Sequence, residues 1–84
     1  MTEPVAKWIM LRYATLWKLF FAKPFTYHQA KKGLKNDSMI SIALSELRRS
    51  GWLKIELDPK DARKRIYTLV DPLQAIEKMV ESSQ

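Results

Sequence analysis

The sequence predicts an α+β chain, mostly α, with three helices, a β-hairpin and a closing helix. Three observations predict it. Ile40, Ala43, Leu44 and Leu47 recur at helical spacing and define one apolar face. Gly51 follows them, where a helix C-terminus favours a left-handed residue. Lys54 and Glu56 then alternate with Leu53, Ile55 and Leu57, the period-two sign of a half-buried strand, and a charged turn leads into a second strand.

Composition bounds the partners. The 84 residues make one domain, 1–84. With no cysteine and one histidine, neither a disulfide framework nor a thiolate metal site is expected, and no cofactor or metal is implied. Absent cysteine suits an intracellular protein, and a DNA partner would place the chain in the cytoplasm, on the nucleoid. The net charge is +6, with residues 1–35 carrying +6, residues 36–57 balanced, residues 58–70 carrying +2 and residues 71–84 carrying −2. An excess of this kind favours a polyanion, nucleic acid or an anionic membrane. Trp8 to Phe21 is apolar, but Arg12 and Lys18 interrupt it and it falls short of the roughly 20 residues of a spanning helix, so a membrane partner is not expected. No secretory signal, internal repeat or low-complexity tract is visible.

The first helix is predicted over residues 5–22, with Thr2 or Glu3 as cap and Pro4 in the first turn. It carries two apolar stripes: Val5, Ile9, Tyr13, Leu16 and Phe20, and Met10, Ala14, Trp17 and Phe21. One small core needs only one, so either the helix crosses the domain centre and buries most of its circumference or, the reading preferred, the second stripe is a surface for another copy of the chain. Lys23-Pro24 ends the helix, because the residue before proline disfavours helical geometry. A helix-turn-helix is predicted over residues 26–50. Phe25-Thr26 is a very short strand, Thr26 and Gln29 form a capping box, and Gly33 is expected to take positive φ in the break.

The next helix is predicted from Asp37, its cap, to Ser50. Ser38, Ile42, Ser45 and Arg49 lie opposite its buried face, with Ser41 and Glu46 on the flanks. Small residues let a helix sit deep in a major groove, serine can bond base edges, and Ile42 can meet a thymine methyl. The candidate base-contacting residues are therefore Ser38, Met39, Ser41, Ile42 and Ser45.

A hairpin is predicted over residues 53–70, with Asp58 to Arg63 as its turn and Lys64 to Val70 as the return strand, Tyr67 and Leu69 inward. Lys60, Arg63, Lys64 and Arg65 crowd the tip, and a phosphate backbone would relieve their repulsion. Lys31, Lys32, Lys35 and Arg49 are the other candidate backbone contacts. Asp71-Pro72 opens a last helix, 72–82, with Leu73, Ile76, Met79 and Val80 as its apolar stripe and residues 82–84 fraying. Met10, Trp17, Phe21, Ile76, Met79 and Val80 are the candidate dimer interface.

Helix, short strand, two helices, strand, charged loop, strand and helix form the order of a winged helix-turn-helix. The run SMISIALSELRRSGWLKIELDPKDARKRIYTLV resembles the winged helix of MarR-type and related small bacterial and archaeal regulators. Ile40-Ser41, Leu44, Leu47 and Gly51-Trp52-Leu53 fill that family's helix pattern. Asp58, Lys60, Asp61 and Arg63 fill its wing pattern, with lysine where arginine is usual, and Ile42 stands where a basic residue is often seen. The resemblance implies a third helix in the major groove, a wing arginine toward the minor groove and a homodimer through the terminal helices.

The function expected is sequence-selective binding of double-stranded DNA by a small transcriptional regulator. The alternative is a winged-helix protein-interaction module, to which the apolar first helix and Ile42 also fit. An enzyme is not expected: paired carboxylates, a phosphate-cradling glycine loop and a nucleophile–base pair are all missing from the sequence, and His28 reads as a surface residue near a DNA backbone.

Overall fold

Seven elements follow one another: α1 (Lys7–Phe20), β1 (Phe25–Thr26), α2 (Tyr27–Gly33), α3 (Ile40–Arg49), β2 (Leu53–Asp58), β3 (Asp61–Leu69) and α4 (Pro72–Ser82). The computed structural model describes residues 2–82. The strands form one antiparallel sheet in the order β1-β3-β2, with Phe25 opposite Tyr67 and Leu53 opposite Leu69. This is the predicted α+β order, a winged helix-turn-helix.

Alternation decides which sheet residues reach the helices. Phe25, Leu53, Tyr67 and Leu69 are buried, so Tyr67 and Leu69 point inward as expected. They meet Ile9, Tyr13 and Leu16 of α1, Ala30 of α2, Ile40, Leu44 and Leu47 of α3 and Ala75 of α4 in one core. Rings organise its centre: Phe25 stacks between Phe20 and Tyr67, with centroids 4.6 and 5.7 Å away, and Tyr13 meets Trp52 edge-on at 5.1 Å. Geometries of this kind add about 0.5–1.5 kcal/mol each beyond simple burial.

Between α3 and the sheet, the chain makes a Schellman turn. Gly51 has φ 85°, its N–H donates to the Arg48 carbonyl, and the Trp52 N–H donates to the Leu47 carbonyl at 2.8 Å. The direction of the wing relative to α3 is set here.

Several expectations are corrected. Thr2 and Glu3 do not cap α1, whose N-cap is Ala6. Instead Thr2 is buried, the Glu3 N–H donates to the Ser50 carbonyl at 2.8 Å, and the Trp52 indole N–H donates to the Glu3 carbonyl at 2.7 Å. The amino-terminal segment is thus tied to the end of α3. Helix α1 begins at Lys7 and stops at Phe20, ahead of Lys23-Pro24, because Phe21 turns to φ 52°. In the α2–α3 turn the positive φ angles belong to Lys35 (55°) and Asn36 (60°), while Gly33 ends α2. A Cβ on Gly33 would lie 2.7 Å from Leu19 Cδ1 of α1, the end of a half-exposed side chain that can turn aside.

Helix α3 starts at Ile40 with Met39 as N-cap, so Asp37 acts earlier, in the turn. The wing turn is tighter than six residues. Asp58 pairs with Asp61 across Pro59-Lys60, a register shift follows Leu57, and Arg63 already belongs to β3. Leu57 is exposed out on that hairpin. On α4, Asp71 Oδ1 accepts from the Leu73 N–H at 2.8 Å, the predicted cap. Its inward groups, however, are Ala75 and Met79, while Leu73, Ile76 and Val80 face outward. Of the fraying predicted for residues 82–84, positions 83 and 84 lie outside the described residues and Ser82 is the last helical one.

Candidate nucleic-acid interface

The helix-turn-helix is held by local polar chemistry. Thr26 Oγ1 accepts from the Gln29 N–H at 3.2 Å, and Gln29 Oε1 accepts from the Thr26 N–H at 2.9 Å, the reciprocal capping box read from the sequence. After α2, the Asn36 N–H donates to the Lys31 carbonyl at 2.8 Å, folding the turn back on the helix. Asp37 then fixes α1 to the turn. One carboxylate oxygen accepts from Arg12 Nε at 2.5 Å and the other from the Met39 N–H at 2.9 Å. These bonds, the Arg12 one first, hold the Asp37 carboxyl below its usual pKa. Arg12 also lies 5.2 Å from the centre of the Trp8 ring, a cation–π contact.

With α3 so placed, Ile40, Ala43, Leu44 and Leu47 face the core. The opposite side is open: Ser38, Ser41 and Ser45 are exposed, with Met39 at 37% and Ile42 at 51% exposure. Between α3 and the sheet runs a groove lined by Tyr27, Ser41, Leu44, Ser45, Ile55, Arg65 and Tyr67. The Tyr27 and Ser41 hydroxyls share a hydrogen bond of 3.0 Å across it. Ser45 and Arg65 continue along the groove to Arg48 and Arg49. Around Tyr27, a second hollow adds Thr26, His28, Lys64 and Arg65, and on α2 a third is formed by His28, Lys31, Lys32 and Asn36.

The fold therefore gathers most predicted contacts into one cationic region. Ser41, Ser45, Arg49 and Arg65 share the α3–wing groove, and Lys31, Lys32 and Lys64 line the adjoining hollows. Ser38, Met39 and Ile42 stand on the outward side of the same helix region. Lys35 is exposed in the α2–α3 turn, and Lys60 and Arg63 lie at the wing tip. That tip is shaped by its own aspartates: Asp58 Oδ1 accepts from the Lys60 N–H at 2.9 Å and Asp61 Oδ1 from the Arg63 N–H at 3.1 Å. Among the described residues, the ion pairs are Arg12–Asp37, Arg49–Glu46 and a loose Arg63–Asp61 contact at 3.8 Å. Glu46 holds one end of the Arg49 guanidinium and raises its pKa, while the rest of that exposed group keeps its donors. Arg48 and Arg65 have no ion pair among the described residues.

Two groove residues were missing from the sequence reading. Arg48 follows Ser41 and Ser45 at i+7 and i+3, so it lies on their stripe, a spacing that does carry the signal. Tyr27 had no signal, because only the fold brings the start of α2 against the first turn of α3.

Comparison with known proteins agrees with this fold. No protein-family model matches the chain. The structure of reduced AbfR bound to DNA superposes with a TM-score of 0.62 at 26% identity, covering 92% of this chain and 58% of that one. Overoxidized AbfR bound to DNA gives 0.63 at 27%, covering 95% and 60%. A type I restriction enzyme MjaVII methylase subunit from Methanocaldococcus jannaschii is 39% identical over 67 residues, which span 75% of this chain and 12% of that protein. The chain thus spans somewhat over half of the matched AbfR chains and a small part of the methylase subunit.

Proposed function

We propose that this winged helix-turn-helix domain, similar to those of MarR-type regulators, binds double-stranded DNA sequence-selectively in the manner of a small transcriptional regulator. One observation carries the proposal. The fold puts the exposed serine face of α3 in one groove with Arg48 and Arg65, which have no ion-pair partner among the described residues. A helix of that kind enters the major groove while neighbouring cations hold phosphates. The fold match to proteins solved on DNA supports the same partner. The domain acts by binding, without catalysis of its own.

In this proposal Ser38, Met39, Ser41, Ile42 and Ser45 face base edges. Lys31, Lys32, Arg48, Lys64 and Arg65 grip the backbone, and Lys60 and Arg63 extend along the wing toward the minor groove. Fluorescence anisotropy with a labelled mixed-sequence duplex at two salt concentrations tests it. Binding should weaken steeply with salt, with a log–log slope of about 0.9 per phosphate neutralised. Replacing both Arg48 and Arg65 with alanine should lower that slope by about 2. No duplex binding at low salt would end the proposal.

The exposed Phe21 after α1 and the exposed Ile76 and Val80 on α4 support a homodimer through these helices, in which Met10, Trp17 and Met79, packed partly on the chain's own core, would add edges. Light scattering of the full chain tests this: a monomer mass at high concentration excludes it. A second reading is favoured by the methylase relative, in which the matching segment is a small part of a larger subunit. On that reading the domain acts as a module that docks on protein, and recovery of a stable protein partner without DNA affinity would select it.

A further inference from the structure

We infer that the duplex sites this domain prefers are chosen by thymine methyl groups in the major groove, read chiefly by Ile42 with Met39 beside it. The inference rests on the DNA-binding proposal and specifies the class of sequence bound.

Guanine is usually read in the major groove by arginine or lysine, and adenine by asparagine or glutamine, each through paired hydrogen bonds. Residues 38–45, Ser-Met-Ile-Ser-Ile-Ala-Leu-Ser, contain none of these. The cations of α3 are confined to its last turn, Arg48 and Arg49, whereas the bases are met by the N-terminal part of such a helix. Two kinds of group then remain to face bases: single serine hydroxyls and apolar side chains. Serine pairs with several bases and discriminates little. Ser41, moreover, already shares a hydrogen bond with Tyr27 at 3.0 Å.

The apolar groups are placed differently from the rest of the helix. Ala43, Leu44 and Leu47 are buried, yet Ile42 is 51% exposed and Met39 37% exposed. They are three residues apart and therefore neighbours on one side of the helical region. Cations that can anchor phosphates line the hollows on α2, at the end of α3 and on β3. A duplex held by those cations would bring its major groove to Ile42. The one apolar group it offers there is the C5 methyl of thymine. Burying a methyl against an apolar side chain changes affinity by about fourfold.

Uracil lacks only that methyl and keeps the same hydrogen-bonding edges. Duplexes enriched from a random pool by the full chain are therefore resynthesised with deoxyuridine replacing thymidine, and both forms are titrated by anisotropy. The uracil form should bind about fourfold more weakly for each methyl contacted. Ile42→Ala, a change at an exposed position, should bring the two affinities toward equality, whereas Arg65→Ala should weaken both alike. Equal affinity of the unaltered chain for both forms overturns methyl readout while leaving DNA binding intact. An undiminished difference in Ile42→Ala overturns the role of Ile42. Failure to enrich any duplex overturns the DNA-binding proposal itself.

Discussion

Replacing Tyr13 by phenylalanine removes one oxygen from the middle of α1 and leaves the ring. That oxygen is placed to matter. Tyr13 is 3% exposed, and its hydroxyl donates to the Val70 carbonyl at 2.5 Å, fastening α1 to the junction between β3 and α4. The ring edge on Trp52 would survive the change. At neutral pH the loss is one hydrogen bond to a partly accessible carbonyl, about 1–2 kcal/mol. The burial of that hydroxyl predicts an alkaline signature as well. Burial first, and the nearby Asp71 charge second, push the Tyr13 phenol from 10.0 up to about 12. A raised folded-state pKa gives stability that is whole below the unfolded value and lost as pH rises through the folded one. Two pH units correspond to about 2–3 kcal/mol, lost between about pH 10 and 12. Urea unfolding followed by tryptophan fluorescence at pH 7 and in steps above pH 9 measures both effects. Tyr13→Phe should be less stable at pH 7 and should decline less steeply above pH 10 than the unaltered chain. Equal midpoints at pH 7 with parallel alkaline slopes would refute the reasoning.

Other positions give sharp expectations. Gly51→Ala forces a side chain onto φ 85° and should cost about 1–2 kcal/mol in urea unfolding; no loss would mean that the turn after α3 adapts freely. The depressed Asp37 pKa contributes stability that is present above the unfolded carboxylate pKa near 4 and lost as pH falls through the folded value. Asp37→Asn should therefore flatten the fall in urea midpoint between pH 6 and pH 3, and an unchanged acid profile would exclude the Arg12 linkage as a contributor.

Periodicity made the helices and strands legible where one face is buried. Ile40, Ala43, Leu44 and Leu47 show α3, Tyr67 and Leu69 show the inward side of β3, and the Thr26–Gln29 and Asp71 caps show where two helices begin. Periodicity misled where apolar residues do not reach the core. Leu73, Ile76 and Val80 have helical spacing, yet they face outward and α4 buries Ala75. Glycine was read as a turn former at position 33, whereas Gly33 ends α2 and the positive φ angles that bend the chain belong to Lys35 and Asn36. The amino terminus looked like a cap because nothing local reveals its bonds to Ser50 and Trp52, nearly fifty residues away. Within the candidate interface, serines and cations could be identified by type. Their convergence could not: Arg65 reaches the Ser45 groove only because β3 pairs Arg65 with Leu57 and the glycine turn directs β2 back along α3.

The most direct measurement is an amide chemical-shift titration of the labelled chain with a short duplex at low salt. Shifts should concentrate at Tyr27, Ser41, Ile42, Ser45, Arg48 and Arg65, and disappear as salt is raised. Shifts confined to α1 and α4, with α3 and β3 unmoved at saturating duplex, would contradict a nucleic-acid face on the serine side of α3.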